Sequence, residues 1–248
     1  MSGGDALAQL RAGTLEVLGR IPWASNVTLL GRLCGSGPAR ALRAVGGRNG
    51  DQLVIYKPER GERPLWDFPP GLYRREAAAH LVSEALGWEL VPPTVVRDGP
   101  LGIGSVQLFV EAEEDVTAFD LVASEHPAML AVAAFDVVVN NADRKGGHTL
   151  LGSDGHVWAI DHGVCFHSQP KLRTVVWDYA GRPLPAELAA DLGRLAEDLG
   201  AGRAPAPELA GLLVPAELEA LTARAEALAE RAVYPPPDGD RPYPWPLV

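Results

Sequence analysis

The sequence runs to 248 residues, enough for one large domain or two modest lobes, because single cores stop growing near about 250–300 residues. Hydrophobic residues make up 47% and charged residues 22%, which excludes a disordered or fibrous chain. Lys and Arg number 22 against 32 Asp and Glu, and the net charge of −10 argues against nucleic acid as a partner and against constitutive docking on anionic lipid.

The purest apolar run, residues 129–135, stops at Asp136, far short of the roughly 20 residues a membrane span needs, so no transmembrane segment is expected. Two distant cysteines, Cys34 and Cys165, suggest neither a disulfide framework nor a cysteine-rich zinc site. The first residues carry no secretory pattern, and a cytoplasmic protein is the expectation.

In chain order, Leu7, Leu10, Val17, Leu18 and Ile21 fit one face of a helix over 5–21 that Asp5 can cap. Three strand-like runs follow, 26–33, 40–45 and 52–57, and the glycine-containing stretches 34–39 and 46–50 make them an antiparallel meander. Residues 58–70 read as a proline-rich exposed loop, and 71–86 as a helix that Gly87 ends. Strands are expected over 94–97 and 103–111, then an acidic stretch from Glu111 to Asp115. After it the character changes to helices over 117–124 and 127–139, a loop over 140–148, a hairpin of 149–151 with 156–160, and mostly helix beyond Pro183. The proline-rich segment 234–248 reads as extended chain on the surface.

Several short patterns carry chemistry. Gly35-Ser36-Gly37 lies in a turn between strands rather than before a helix, so it is neither a P-loop nor a dinucleotide fingerprint, although its backbone N–H groups could fold over phosphates. Lys57 ends an apolar strand and Glu76 follows on the next helix, a separation at which the two can form an ion pair that holds the lysine on nucleotide phosphates. Asp143, Lys145 and His148 share the loop after an apolar helix, and Asp161 follows the hairpin. A carboxylate to orient a hydroxyl and a second one to hold a divalent cation are what phosphoryl transfer requires. Either Asp alone would equally fit an ordinary turn.

Taken together, Val54-Ile55-Tyr56-Lys57, Tyr73-Arg74-Arg75-Glu76-Ala77-Ala78, Val91-Pro92-Pro93-Thr94, Asn140-Asn141-Ala142-Asp143-Arg144 and Ala159-Ile160-Asp161-His162-Gly163-Val164-Cys165-Phe166 resemble, in order, the phosphatidylinositol 3-/4-kinase-related family. Within it the similarity is greatest to type II phosphatidylinositol 4-kinases and to a set of short actinobacterial kinase-related proteins. The resemblance implies an α+β, two-lobed protein-kinase-like fold with a strand-rich N-lobe over 22–113, a helical C-lobe over 114–233 and a tail over 234–248, all within one domain over 1–248. It implies ATP with Mg²⁺, Lys57 on the α-phosphate paired with Glu76, Asp143 as catalytic carboxylate, Asp161 on the metal, and Glu111, Ala112 and Glu113 as the hinge beside the adenine.

Two positions depart from or extend that pattern. His148 stands where the family has asparagine as second metal ligand, and imidazole suits Mn²⁺ better than Mg²⁺. Lys145 gives the Asp-x-Lys spacing of protein-serine kinases, where the lysine steadies the γ-phosphate. The expected activity is ATP-dependent phosphorylation of a hydroxyl on a small molecule, lipid or protein. The alternatives are a nucleotide-binding module with weak catalysis and nucleotidyl transfer to protein. His156, His162 and His167 with Cys165 could form a zinc cluster, but their spacing matches no metal motif.

Overall fold

A computed structural model describes residues 3–22, 26–34 and 52–248. The expected strand over 40–45 and the turn that holds Gly35, Ser36 and Gly37 lie outside the described residues.

The first helix, α1 (Gly3–Ala12), is shorter than the periodicity predicts, and its continuation is a strand, β1 (Thr14–Arg20). Gly13 closes the helix by donating its N–H to the Gln9 carbonyl, 2.9 Å away. The apolar positions beyond it fit a helical face, but β2 (Leu29–Cys34) offers an antiparallel ladder to the same residues, and tertiary pairing overrides local pattern. A register shift between Val17 and Gly19 accommodates one extra residue, Leu18, which is left exposed.

β3 (Gln52–Pro58), β4 (Thr94–Gly99) and β5 (Gly102–Leu108) complete an antiparallel sheet of order β1-β2-β3-β5-β4. The alternation of β3 decides where its lysine goes. Val54 and Tyr56 are fully buried in a cluster with Leu10, Leu33 and Val106, so Lys57 must project from the other face.

That other face meets α2 (Leu72–Leu86), which starts at Gly71 and stops at Gly87, both with positive φ. The Glu62 carboxylate accepts the N–H groups of Gly71 and Tyr73 at 3.0 and 2.7 Å, which satisfies donors the helix start leaves free. Ala78, Ala79, Val82 and Leu86 of α2 belong to the large core of the helical half rather than to the sheet's cluster. Arg75 adds a buried ion pair to Glu217 on a late helix and donates to the Cys165 carbonyl. Its neighbour Arg74 stays exposed, so of two adjacent arginines only one is structural.

The helical half contains α3 (Ala118–Ala123), α4 (Ala128–Val139), α5 (Ala186–Gly200), α6 (Ala206–Ala210) and α7 (Pro215–Arg231), with a hairpin of β6 (Thr149–Leu151) and β7 (Val157–Ala159) between α4 and α5. The acidic stretch from Glu111 links the halves, and Thr117 with Asp120 forms a capping box at the start of α3. The final segment runs extended across this half. The Pro242 carbonyl accepts from the Thr174 N–H and the Trp177 indole, and the Leu247 carbonyl accepts from the Gly146 N–H at 2.8 Å.

Candidate active site

α4 is buried along most of its length, and its single acid, Asp136, is fully buried. A buried carboxylate needs partners, and this one recruits the loop that follows. Arg144 turns inward, also fully buried, and donates through Nε to both Asp136 oxygens at 3.0 and 3.1 Å. Its Nη1 reaches the His148 and Ile160 carbonyls, both at 2.9 Å, and its Nη2 reaches His162 Nε2 at 2.8 Å and Asp136 Oδ1 at 3.0 Å. Asn141 Nδ2 and Thr174 Oγ1 donate to the same carboxylate. The loop over 140–148 is thereby pinned from below to both neighbours in the hairpin and to the segment over 173–175.

What this scaffold presents is Asp143. Its backbone N–H is held by Asn141 Oδ1 at 2.9 Å, and its carboxylate lies 3.2 Å from Lys145 Nζ. Burial pushes the Asp143 carboxyl above the ordinary aspartate value, and Lys145 partly offsets that. A carboxylate with a somewhat raised pKa and a cation beside it is a suitable acceptor for a hydroxyl proton.

Across the cleft, Lys57 Nζ lies 2.5 Å from Glu76 Oε1 and 2.8 Å from Asp161 Oδ1. The second Glu76 oxygen accepts the His162 N–H at 3.0 Å, so one buried side chain on α2 fixes both the lysine of β3 and the backbone next to Asp161. Burial alone would lower the Lys57 ammonium, but Asp161 and Glu76 outweigh it and raise it, while burial raises Glu76 against the pull of Lys57. Lys57 holds Asp161 well below the usual carboxylate range, against the burial that would raise it. Asp161 adopts a φ of 62°, a left-handed conformation uncommon for a residue with a side chain and found at sites that need a particular aim.

His148 joins the two groups. Its Nδ1 lies 2.9 Å from the Asp143 carbonyl, which can only accept, and 3.4 Å from the Lys145 N–H; the shorter contact assigns the proton to that nitrogen. Burial pushes the ring down to about 4, and Arg144, Lys145 and Lys57 act in the same direction against Asp161. The neutral ring therefore turns an Nε2 lone pair toward Asp161 Oδ2, 3.3 Å away. Two electron-rich atoms facing each other fit a divalent cation, and the imidazole nitrogen among them suits Mn²⁺ better than Mg²⁺. Among the described residues no group of three or more His, Cys, Asp or Glu side chains could hold an ion unaided, so phosphate or water oxygens would have to complete the shell.

The structure thus brings together Lys57, Glu76, Asp143, Lys145, His148 and Asp161 from the residues that the sequence singled out. The linker residues Glu111 and Glu113 are exposed, Ala112 is bridged to Gly152, and the Glu113 N–H is already bonded to the Leu151 carbonyl. His162 serves Arg144 rather than a metal, and Cys165 is fully buried, with its thiol pushed up by that burial. Asp136 and Arg144 are the positioning residues that motif reasoning missed, and the available signal was the one charge interrupting an apolar helix.

No family model matches the chain. Protein Rv2133c of Mycobacterium tuberculosis is 43% identical over an alignment that takes in 98% of this chain and 95% of that protein. Phosphatidylinositol 4-kinase gamma 4 of Oryza sativa subsp. japonica is 31% identical over 146 residues, half of this chain and 26% of that protein. Two crystal structures of the Golgi casein kinase, one with Mn/ADP bound, superpose with TM-scores of 0.53 and 0.52. They cover 93% and 95% of this chain and 75% and 79% of theirs, at 13% and 14% identity. The chain has a protein-kinase-like fold, with a strand-rich first half and a helical second half. No helix among the described residues is long and apolar enough to cross a membrane.

Proposed function

We propose that this chain, which belongs to the family of Mycobacterium tuberculosis protein Rv2133c, is an ATP-dependent phosphotransferase of the phosphatidylinositol 3-/4-kinase-related type. The observation that carries the reading is the Lys57 ammonium held between Glu76 and Asp161, facing Asp143 through His148. The partial likeness to a plant phosphatidylinositol 4-kinase supports the narrower family assignment. In this reading residues 1–248 form one domain; the N-lobe expected over 22–113 also takes in α1 and β1, which pack on and pair with its sheet, and it is followed by a C-lobe over 114–233 and a tail over 234–248, working in the cytoplasm.

Each side chain has a role that its surroundings support. Lys57, oriented by Glu76, neutralises nucleotide phosphate. Asp161 and His148 would hold Mg²⁺ or Mn²⁺, which supplies charge neutralisation on the phosphates. Asp143 orients the acceptor hydroxyl and accepts its proton, while Lys145 keeps that carboxylate ionised and reaches toward the transferring group. Glu111, Ala112 and Glu113 would flank the adenine, and Gly35, Ser36 and Gly37 would cover the phosphates.

The test is the melting temperature of the full chain with ADP and Mn²⁺ or Mg²⁺. At a hundredfold excess over Kd the complex should gain about 2.7 kcal/mol of stability, and Asp161→Ala should abolish the gain. Equal melting temperatures with and without ADP and metal in the wild type would overturn the proposal. A second reading, nucleotide binding without efficient transfer, draws on His148 in place of the family's asparagine. It predicts the same stabilisation with no loss of the γ-phosphate even in His148→Asn.

A further inference from the structure

We infer that the groove beside the 140–148 loop, floored by Lys171, Arg173 and Arg224 and rimmed by Trp66, is the acceptor site, and that it takes a soluble, ring-bearing hydroxyl compound carrying one phosphate. The inference rests on the phosphotransferase reading for the word acceptor, but its anion site stands on separate observations.

The first is position. The groove encloses about 890 Å³, within the range of small-molecule sites, between the end of α4, the segment over 168–173, α7 and the proline-rich tail. Arg173 ties it to the chemistry, since its N–H donates to the Asn141 carbonyl at 2.8 Å and its carbonyl accepts from Arg144 at 3.0 Å. Its charge also acts on the Asp143 carboxyl.

The second is an incompletely compensated cation. Arg224 Nε donates to the Val138 carbonyl at 2.8 Å and Nη1 to the His167 carbonyl at 3.3 Å, while Nη2 is buried with no partner among the described residues. Carbonyls satisfy N–H groups but do not cancel the charge, and burial draws this guanidinium down to about 10. The Glu217 carboxylate acts on it without a hydrogen bond and is itself paired with Arg75, so the charge is only partly balanced and a bound anion would complete it. Among the described residues Lys171 and Arg173 share one acid, Asp67, at 3.4 and 3.8 Å, too loosely to compete with a phosphate that accepts from both.

The third is the rim. Trp66 is 94% exposed and lines the groove, with Lys171 Nζ 6.0 Å above its ring. A free indole face beside a cationic floor suits a flat or cyclic body with an anionic end. The tail wall carries Asp238 and Asp240 beside Arg241, so it adds no basic stripe for a polyanionic surface, and the chain's net charge of −10 favours a small solute over a bilayer. With the phosphate on the floor, the Asn140 end of the groove would turn the free hydroxyl toward the loop that carries Asp143. Its oxygen bonds to the γ-phosphorus of ATP as the bond to the β–γ bridging oxygen breaks, its proton passes to the Asp143 carboxylate, and ADP leaves with the electron pair.

The experiment is calorimetric titration of the full chain, with ADP and Mn²⁺ present, using inorganic phosphate, glucose 6-phosphate, glucose and phosphatidylinositol vesicles as probes. Phosphate and glucose 6-phosphate should bind and glucose should not. Arg224→Gln and Lys171→Gln should each weaken both phosphate probes about tenfold, and Trp66→Ala should weaken only glucose 6-phosphate. Lys171→Gln alters a partly exposed side chain, so it serves if Arg224→Gln fails to fold. ADP binding with no binding of either phosphate probe, or with equal binding by the variants, would overturn the inference while leaving the kinase reading intact. Phosphate probes that depend on Arg224 in a chain that never binds ADP would overturn the kinase reading and leave the anion site standing. Variant-sensitive binding of vesicles alone would overturn the choice of a soluble acceptor.

Discussion

Arg144 and Asp136 are sealed from solvent, with all five guanidinium donors taken, whereas Asp161, which shares the same site, keeps 48% of its side chain exposed and is held by one lysine and one histidine. The contrast separates two jobs. The sealed pair fixes where the loop over 140–148 lies, because a buried, fully satisfied ion pair has one good geometry. Under the proposed function, the open cluster keeps charges whose partners would be exchanged for phosphate and metal. A site assembled only from the first kind would be rigid and inert, and one assembled only from the second would be misplaced.

The sharpest way to break that division is to remove one member of each cluster. Arg144→Met leaves the Asp136 carboxylate buried and unpaired, and urea denaturation should show a loss of about 3–5 kcal/mol, the range for breaking a buried pair. Lys57→Met leaves Glu76 buried, but that carboxyl is already raised by its surroundings and can take up a proton, so the loss should be about 1–2 kcal/mol. Equal losses would mean that the two clusters do not differ in kind.

Protonation sharpens the comparison with a smaller effect. His80, His148 and His162 are all held below the usual imidazole value, burial being the leading cause in each. Near pH 6.5 the unfolded chain takes up protons that the folded rings refuse until the pH has dropped much further. Stability is therefore complete above about pH 6.5 and declines as the pH falls below it. His148, displaced from 6.5 to about 4, should alone account for about 2 kcal/mol at pH 5. Melting temperatures across pH 7.5 to 5 should fall for the wild type and fall less for His148→Asn. A flat profile would contradict the burial of these rings.

Legibility in the sequence followed the range of the interaction. Lys57 and Glu76 could be read locally, because β3 alternates strictly and α2 runs between two glycines. Asp143 and Asp161 could be read from motif order. The strand over Thr14–Arg20 could not, since Val17, Leu18 and Ile21 fit a helical period as well as a strand, and only pairing with β2 decides between them. The roles of Asp136 and Arg144 were hidden for a similar reason. Their partners are spread over Asn141, His148, Ile160, His162 and Thr174, and a lone acid in an apolar helix says that a partner exists without saying which. The cationic groove was beyond reach altogether, because Arg224 comes to Lys171 and Arg173 only through the fold.

Under the proposed function, the cleft between Lys57 and Asp143 transfers the terminal phosphate of ATP. The most direct test of that transfer follows ATP labelled separately at the γ- and α-phosphates, with Mn²⁺, in the wild type and in Asp143→Asn. Loss of the γ-label with formation of ADP is expected, slowed about 10²–10⁴-fold in Asp143→Asn while that variant still binds ADP. Formation of AMP with the α-label carried to protein, or equal rates in the two proteins, would contradict the proposed function.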